Sequence, residues 1–211
     1  MAAKISDKHV IYMLMRILYE YDAYTFEHCI HTALYANAVG QFMLIEEEEL
    51  YDITVAALLH DIGKVMIPEE ILCKPDKLNA AEKAIMDTHT THGYNIVKEI
   101  GLCDYILDAI VSHHENENGT GYPKGISASE LNMGAKIIHV CDVYDAMLRK
   151  RIYRDAIPHE IVIEHINKNA GNMFDPDVVS VLASAIDDYR ARIIKPDNDL
   201  LLGLIDEFMS K

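Results

Sequence analysis

Apolar residues recur at intervals of three and four along most of the chain, a pattern typical of helices that bury one face. Thr25 and Asn79 are placed to cap two of these helices, and Gly101 is placed to end one. No stretch keeps the alternation of apolar and polar residues that marks a strand, so the predicted fold class is all-α. The helices are predicted over residues 7–21, 27–42, 80–100, 106–112, 132–149, 158–169, 175–190 and 199–209.

The length and net charge of the chain indicate how many domains it forms and which kinds of partner it can bind. With 211 residues, half of them apolar, the chain can bury a substantial core and is expected to form one domain. Its formal charge of -15 argues against DNA or RNA as a partner, since binding to these polyanions depends on clustered Lys and Arg. Neither a signal peptide nor an apolar run of membrane-spanning length is found. We therefore expect a cytoplasmic protein with no membrane partner.

The four cysteines indicate the redox conditions of the cellular compartment in which the protein works. None is paired in a CxxC motif, and each lies in an apolar or helical context, so each is expected to be a buried free thiol. Unpaired thiols fit a reducing compartment. The four residues are Cys29, Cys73, Cys103 and Cys141.

The apolar run Val55–Leu59 leads directly into His60 and Asp61, with Lys64 four residues after the histidine. A buried carboxylate stays ionised only when it is paired or bound to a metal, and imidazole with carboxylate is a ligand set for iron, manganese or zinc. If the run is helical, His60 and Lys64 share a face, so one patch offers two metal ligands and a cation for phosphate. A buried hydrogen bond between His60 and Asp61 is the alternative.

Imidazole and carboxylate groups with apolar neighbours come from five segments of the chain. For His28 a packing role is the alternative to metal binding, whereas Asp142 lies in an apolar helix face and needs a partner. Seven ligands suffice for two ions that share a bridging carboxylate. Such a pair hydrolyses phosphoesters through a bridging hydroxide. The candidate metal ligands are His28, His60, Asp61, His89, His113, His114 and Asp142.

Several motifs together resemble the HD-GYP cyclic di-GMP phosphodiesterases, bacterial signalling enzymes of the HD hydrolase superfamily. The resemblance covers about residues 22–181. The motifs that carry it are Thr25-Phe26-Glu27-His28, His60-Asp61-Ile62-Gly63-Lys64, Ile67-Pro68, His89 before Gly93, His113-His114-Glu115, Gly119-Thr120-Gly121-Tyr122-Pro123, Asp142-Val143-Tyr144-Asp145-Ala146, Arg151-Ile152-Tyr153-Arg154 and Phe174-Asp175-Pro176.

The resemblance implies an HD-domain helical bundle with additional C-terminal helices, and it implies roles for the candidate residues. Lys64 would bind the scissile phosphate, with Asp61 and Lys64 as the catalytic pair, and Arg151 and Arg154 would grip the rest of the substrate. Two divalent ions, iron or manganese, are the implied cofactors. For the first ion the implied ligands are His28, His60, Asp61 and Asp142. For the second they are His89, His113, His114 and the bridging Asp61.

Some positions depart from the pattern that this family usually shows. His31 stands where Arg is usual, Met66 where Gly is usual, and Asn116-Glu117-Asn118 where Arg-Trp-Asp is usual. None of these changes removes an implied ligand, but the altered loop is expected to affect substrate choice or rate. Tyr24 is not a carboxylate, so no third metal is expected.

The sequence thus predicts a metal-dependent phosphodiesterase that hydrolyses cyclic di-GMP to linear pGpG, with GMP as the final product if hydrolysis continues. One alternative is an HD phosphohydrolase that acts on another cyclic dinucleotide or on a nucleotide. The other is a catalytically weak module that senses the dinucleotide.

The predicted organisation is an N-terminal amphipathic helix at residues 1–21, a catalytic domain at 22–190 and a C-terminal helix at 191–211. The expected partner is a cyclic dinucleotide. Apolar residues on the two terminal helices are expected to mediate a homodimer or contact with a sensor protein. The alternative is that both helices close the core.

Overall fold

The computed structural model describes residues 7–149, 156–192 and 203, and this part of the chain contains helices, turns and one isolated bridge but no strand. The all-α prediction is confirmed. The helices are α1 (Asp7–Tyr21), α2 (Ala23–Phe42), α3 (Glu47–Leu59), α4 (Glu69–Leu72), α5 (Ala80–Asp87), α6 (His89–Ile100), α7 (Asp104–Ser112), α8 (Met133–Leu148), α9 (His159–Lys168) and α10 (Pro176–Arg192).

The centre of the bundle is formed by α2 and α3. Helix α2 packs against α1, α3, α8 and α10, and α3 packs against α7 and α8 as well. Small residues such as Ala33 and Ala36 on α2 and Ala56 and Ala57 on α3 are almost wholly buried. They let the helix backbones approach closely, and the polar residues of α2, α3 and α8 are thereby enclosed among apolar neighbours.

Helix α2 begins earlier than predicted. Asp22, not Thr25, is its cap, because the Asp22 side chain accepts a hydrogen bond from the backbone N–H of Tyr24 at 3.1 Å. The hydroxyl of Thr25 donates to Asp22 at 2.6 Å from inside the helix. A carboxylate and a hydroxyl are both good capping groups, and the backbone geometry at Asp22 decided between them.

The long helix predicted over 80–100 is two helices that meet at Thr88. The Thr88 hydroxyl donates to the carbonyl oxygen of Ile85 at 2.6 Å, and this local bond competes with the regular helical ladder. Asn79 caps α5 as predicted, and Gly101 ends α6 in the left-handed region at φ 79°. The break turns α6 into a separate element whose first residue is His89.

Two of the cysteine predictions are wrong. Cys29 and Cys141 are buried free thiols, but Cys73 and Cys103 are exposed. Cys73 follows α4 and Cys103 precedes α7, and residues at helix ends can face solvent even beside apolar neighbours.

Some predictions fall on residues that the structure does not describe. Arg151 and Arg154 lie there, as does the helix predicted over 199–209 apart from Gly203. The division into domains at residues 21 and 190 stays a prediction. Among the described helices, none combines the length and apolar character that crossing a membrane requires.

Candidate metal centre

All seven candidate ligands lie at one buried junction, where α2, α6 and α8 meet the C-terminal ends of α3 and α7. They form two groups. In each group the ligand atoms lie within 4.8 Å of one another, and Asp61 contacts both. The first group is His28, His60 and Asp142. The second is His89, His113 and His114.

The end of α3 places His60 and Asp61. The helix stops at Leu59, His60 caps it, and Ile62–Met66 is a 3₁₀ turn. Because the helix does not continue through residue 64, His60 and Lys64 do not share a helix face as the sequence suggested. Instead Lys64 turns back and its Nζ lies 2.6 Å from Oδ2 of Asp61. The cation accompanies the carboxylate, not the imidazole.

Gly63 brings this turn into backbone contact with α6. A Cβ atom at Gly63 would lie 2.0 Å from the carbonyl oxygen of His89 and 2.4 Å from the nitrogen of Gly93, so no larger residue fits without a shift. This close approach places Oδ1 of Asp61 3.3 Å from Nε2 of His89. Glycine is needed here for space.

The two oxygens of the Asp61 carboxylate face different groups. Oδ2 lies 3.4 Å from Nε2 of His60 and 3.8 Å from Nε2 of His28, while Oδ1 faces His89. The second carboxylate also spans both groups, because Asp142 Oδ1 lies 2.9 Å from Nε2 of His28 and Oδ2 lies 3.8 Å from Nδ1 of His114.

Three of the histidines have the same orientation. The Nδ1 atoms of His60, His89 and His113 donate to the carbonyl oxygens of the residue three positions earlier, at 2.7, 2.8 and 2.7 Å. A carbonyl oxygen can only accept, so Nδ1 carries the proton and Nε2 is directed into the cluster. A fixed tautomer of this kind is typical of metal-binding histidines.

The residues present fit a metal. Nε2 of His60 is buried without a hydrogen-bond partner among the described residues. Nε2 of His89 and Nε2 of His113 face each other at 3.4 Å, although the proton of each neutral ring is already on Nδ1. Two lone pairs that face each other are stabilised by a cation between or beside them, and imidazole nitrogen with carboxylate oxygen suits a first-row divalent ion.

The pKa values separate the two groups. Burial lowers the pKa of His113 and His114 well below the ordinary value, and neighbouring imidazoles lower it further, so these rings are neutral. At His60 burial also opposes the charged form, but the Asp61 carboxylate raises the pKa well above its usual value. The first group thus attracts positive charge, while the second offers neutral nitrogen donors.

Asp145 was not among the predicted site residues. Its Oδ2 accepts the Nδ1–H of His28 at 2.6 Å, which leaves Nε2 of His28 directed toward Asp142. Burial alone would raise the pKa of Asp145, but the hydrogen bond from His28 and the charge of Arg149 lower it to about 2. Its position three residues after Asp142 on α8 was the signal that could have found it.

Cys29 is a further neighbour that the sequence did not indicate. Its Sγ lies within 4.8 Å of a ring nitrogen of His60 and a carboxylate oxygen of Asp61, and all three residues are buried. Burial raises the pKa of the Cys29 thiol. The thiol therefore lines the first group beside its ligands.

The loop after α7 closes one side of the site. Tyr122 stacks on the ring of His114, with centroids 4.7 Å apart. The buried Glu115 holds the loop, because its Oε1 accepts the backbone N–H groups of Lys124 at 2.6 Å and Gly125 at 3.0 Å. This confirms that residues 116–125 form a loop and places an aromatic ring beside a candidate ligand.

A helical bundle with two adjoining histidine groups and a carboxylate between them defines a candidate dinuclear metalloprotein. The sequence model of the HD domain family matches residues 12–178. The chain therefore belongs to the HD domain family, which confirms the family resemblance drawn from the motifs.

Two relatives named as cyclic dinucleotide phosphodiesterases are similar to this chain in sequence. The chain is 32% identical over 195 residues to the 3'3'-cGAMP-specific phosphodiesterase 2 of Vibrio cholerae, an alignment that covers 91% of this chain and 37% of that protein. It is 33% identical over 169 residues to a cyclic di-GMP phosphodiesterase of Thermotoga maritima. That alignment covers 79% of this chain and 46% of the relative. The chain thus spans less than half the length of either relative.

A solved structure shows the same fold. The cyclic GMP-AMP specific phosphodiesterase V-cGAP3 of Vibrio cholerae superimposes with a TM-score of 0.69 at 19% identity, over 94% of this chain and 53% of that one. At this identity the likeness concerns the helical architecture.

Proposed function

We propose that this protein is a metal-dependent phosphodiesterase that hydrolyses a cyclic dinucleotide, with cyclic di-GMP as the first substrate to test. The observation that carries the proposal is Asp61, whose two carboxylate oxygens face two separate groups of histidines. Cyclic di-GMP and cyclic GMP-AMP phosphodiesterases among the relatives support the substrate class.

Two divalent ions, iron or manganese, would supply an activated water and neutralise the phosphoryl oxygens. The chain's own part is to hold the site. The backbone carbonyls behind His60, His89 and His113 accept Nδ1–H and direct each Nε2 into the cluster, and Asp61 joins the two groups. The assigned ligands are those named from the sequence: His28, His60, Asp61 and Asp142 for one ion, and His89, His113, His114 and Asp61 for the other.

Lys64 is the proposed cation for the scissile phosphate. Its Nζ lies beside Asp61 and its side chain is 22% exposed, so it borders both the carboxylate and solvent. Burial alone would lower the pKa of Lys64, but the Asp61 carboxylate raises it, so the ammonium stays charged. Arg151 and Arg154 are the proposed contacts to the rest of the dinucleotide.

A mixed cyclic GMP-AMP is the second candidate substrate. The relative whose alignment covers 91% of this chain is specific for 3'3'-cGAMP, and a second such enzyme from the same organism is 31% identical over 77% of this chain. The loop residues Asn116 to Asn118 depart from the usual family pattern and begin two residues after His114, and they are proposed to affect the choice of base.

The experiment is a turnover assay on chelated protein reloaded with Mn²⁺ or Fe²⁺. Cyclic di-GMP, 3'3'-cGAMP and a phosphodiester without bases are supplied separately, and products are resolved by chromatography. Linear dinucleotide that forms only after metal loading supports the proposal, and later GMP shows whether hydrolysis continues. His165→Gln is the control, because His165 is exposed on α9 and belongs to neither histidine group.

Two results would contradict this function. Turnover that is equal before and after chelation excludes a metal-dependent reaction. Tight binding of cyclic di-GMP without metal-dependent cleavage of any of the three substrates supports the sensor module instead.

A further inference from the structure

Arg149 connects the helices that carry His28 and Asp142. It directly follows α8, and its side chain folds back so that Nε lies 2.7 Å from Oδ2 of Asp145. The same carboxylate oxygen accepts the Nδ1–H of His28 at 2.6 Å. A continuous set of contacts therefore runs from the guanidinium group, through one buried carboxylate, to a candidate metal ligand.

The guanidinium group is held from several sides by α2. Nη1 lies 3.3 Å from Oε2 of Glu27, Nη2 donates to Nδ1 of His31, and the guanidinium carbon lies 5.5 Å from the ring centroid of Tyr24. These three residues follow one another at helical spacing on the same face of α2. The contact of Nε with Asp145 is an ion pair and not an aligned hydrogen bond. A planar guanidinium group with contacts at all three nitrogens still has one preferred orientation, unlike a flexible ammonium group.

We propose that Arg149 is a positioning residue for His28, a role that rests on the proposed metal site. It holds the Asp145 carboxylate in place, and Asp145 in turn keeps the proton on Nδ1 of His28 and aims Nε2 at the cluster, 2.9 Å from Asp142. Partners behind a metal-bound histidine set the tautomer and the ring orientation, and losing one typically costs about 10 to 100-fold in metal affinity.

The effect is expected to be local. Arg149 contacts the helices that carry His28 and Asp142, whereas His89 and His113 are oriented by backbone carbonyls of their own segments. Removing the guanidinium group therefore weakens the group formed by His28, His60 and Asp142 and leaves the second group unchanged.

The chain offers a matched control on the same helix. Lys136 of α8 pairs with Asp175 at 2.9 Å, and its side chain is 15% exposed, against 14% for Arg149. Lys136 also pairs with Glu117 at 3.6 Å, and neither Asp175 nor Glu117 is a candidate metal ligand. Lys136→Met therefore removes buried ion pairs of α8 without removing a partner of the metal ligands.

The test is a calorimetric titration of chelated protein with Mn²⁺. In a His113→Ala background, which leaves the first group intact, Arg149→Met is expected to lower Mn²⁺ affinity about 10 to 100-fold. Lys136→Met in the same background should leave it unchanged. In a His28→Ala background, which removes a ligand of the first group only, Arg149→Met should also have no effect on the affinity of the second group.

A relocated charge makes the test sharper. Nδ1 of His31 lies 3.5 Å from Oδ1 of Asp145, so an arginine at that position can reach the same carboxylate from α2. Adding His31→Arg to Arg149→Met should restore most of the lost affinity. Arg149→Lys keeps the charge but not the planar guanidinium group, so its Mn²⁺ affinity should lie between that of Arg149→Met and that of the unchanged Arg149.

Several outcomes overturn this role. Arg149→Met with unchanged Mn²⁺ affinity in the first group contradicts it. So does an equal loss in both groups, or an equal loss in Lys136→Met, because each indicates a general effect on the fold. If the wild type binds neither Mn²⁺ nor Fe²⁺, the proposed function itself fails and this role fails with it.

Discussion

Asp61 is the residue on which the proposed dinuclear site depends most directly. Burial alone would raise its pKa, but Lys64 and His60 lower it well below its usual value, so the group is a carboxylate at neutral pH. Each of its oxygens faces a different set of imidazoles. A single anion thus faces both histidine groups.

Replacing Asp61 by Asn should empty at least one metal position and abolish hydrolysis. An amide carries no charge and offers one oxygen, so it bridges two cations poorly. Activity is expected to fall by more than about 100-fold, the upper end of what losing an outer partner costs. Metal content per protein and turnover are measured together, with the exposed Asp108→Asn as the control. Full activity with unchanged metal content would contradict the dinuclear site.

Replacing Lys64 by Ala should lower turnover by about 10²–10³-fold while the metals are retained, because a cation directed at a phosphoryl oxygen acts mainly in the transition state. Lys64→Arg, which keeps a charge near Asp61, should lose less. A different role is possible for Lys64, because its Nζ lies 2.6 Å from Oδ2 of Asp61, a candidate metal ligand. If Lys64→Ala loses metal, the residue serves to stabilise the carboxylate and not the substrate.

At the scale of elements, helix ends position the site. His60 and His113 cap the C-terminal ends of α3 and α7, and His89 begins α6 after the break at Thr88. A histidine at a helix end can donate Nδ1–H to a carbonyl of the last turn, which has no helical partner. The hydrogen bond between the imidazole Nδ1–H and this carbonyl oxygen pairs both groups and fixes the orientation of the ring.

Asp175 links α8 to α10, and its two roles can be separated. Its Oδ1 accepts the backbone N–H groups of Asp177 at 2.9 Å and Val178 at 3.1 Å, and its Oδ2 lies 2.9 Å from Lys136. Asp175→Ala removes both the cap and the ion pair, so the free energy of unfolding should fall by at least about 1 kcal/mol. Asp175→Asn keeps a capping oxygen and should lose less.

Urea unfolding of both Asp175 variants measures this difference, and Asp177→Asn, an exposed acidic residue in the first turn of α10, is the control. Equal losses in the Ala and Asn variants would show that the ion pair with Lys136, and not the cap, accounts for the stability.

At the scale of the whole molecule, the metal centre joins elements that are distant in the sequence. His28 and Asp142 are 114 residues apart, yet their side chains lie 2.9 Å from each other. The junction also gathers buried imidazoles and carboxylates in a chain of formal charge -15. Ions that bind here therefore stabilise the native arrangement of α2, α3, α6, α7 and α8 together.

Removing metal should lower the stability of the whole bundle. Free Mn²⁺ at 100 times its dissociation constant would contribute about 2.7 kcal/mol per site. Chelation should accordingly lower the thermal midpoint, and Mn²⁺ should restore it, while the Asp61→Asn variant should respond less than the wild type. A midpoint that is the same with chelator and with Mn²⁺ would contradict a site that joins these helices.

The sequence by itself determined the fold class, most helix positions and the identity of the candidate ligands. Helical spacing of apolar residues is a local property, and so is the presence of His60 and Asp61 directly after an apolar run. The motifs are long enough that each candidate ligand could be named by position. What a short segment contains is sufficient for inferences of this kind.

Only the tertiary structure decided how those residues are arranged. The break at Thr88, the turn that sends Lys64 back to Asp61, and the close approach at Gly63 all depend on packing between segments. The partner behind His28, the Asp145 carboxylate, belongs to another helix than the histidine that it orients. A sequence pattern records which groups must be buried, but the distances among segments far apart in the chain are set when their helices pack.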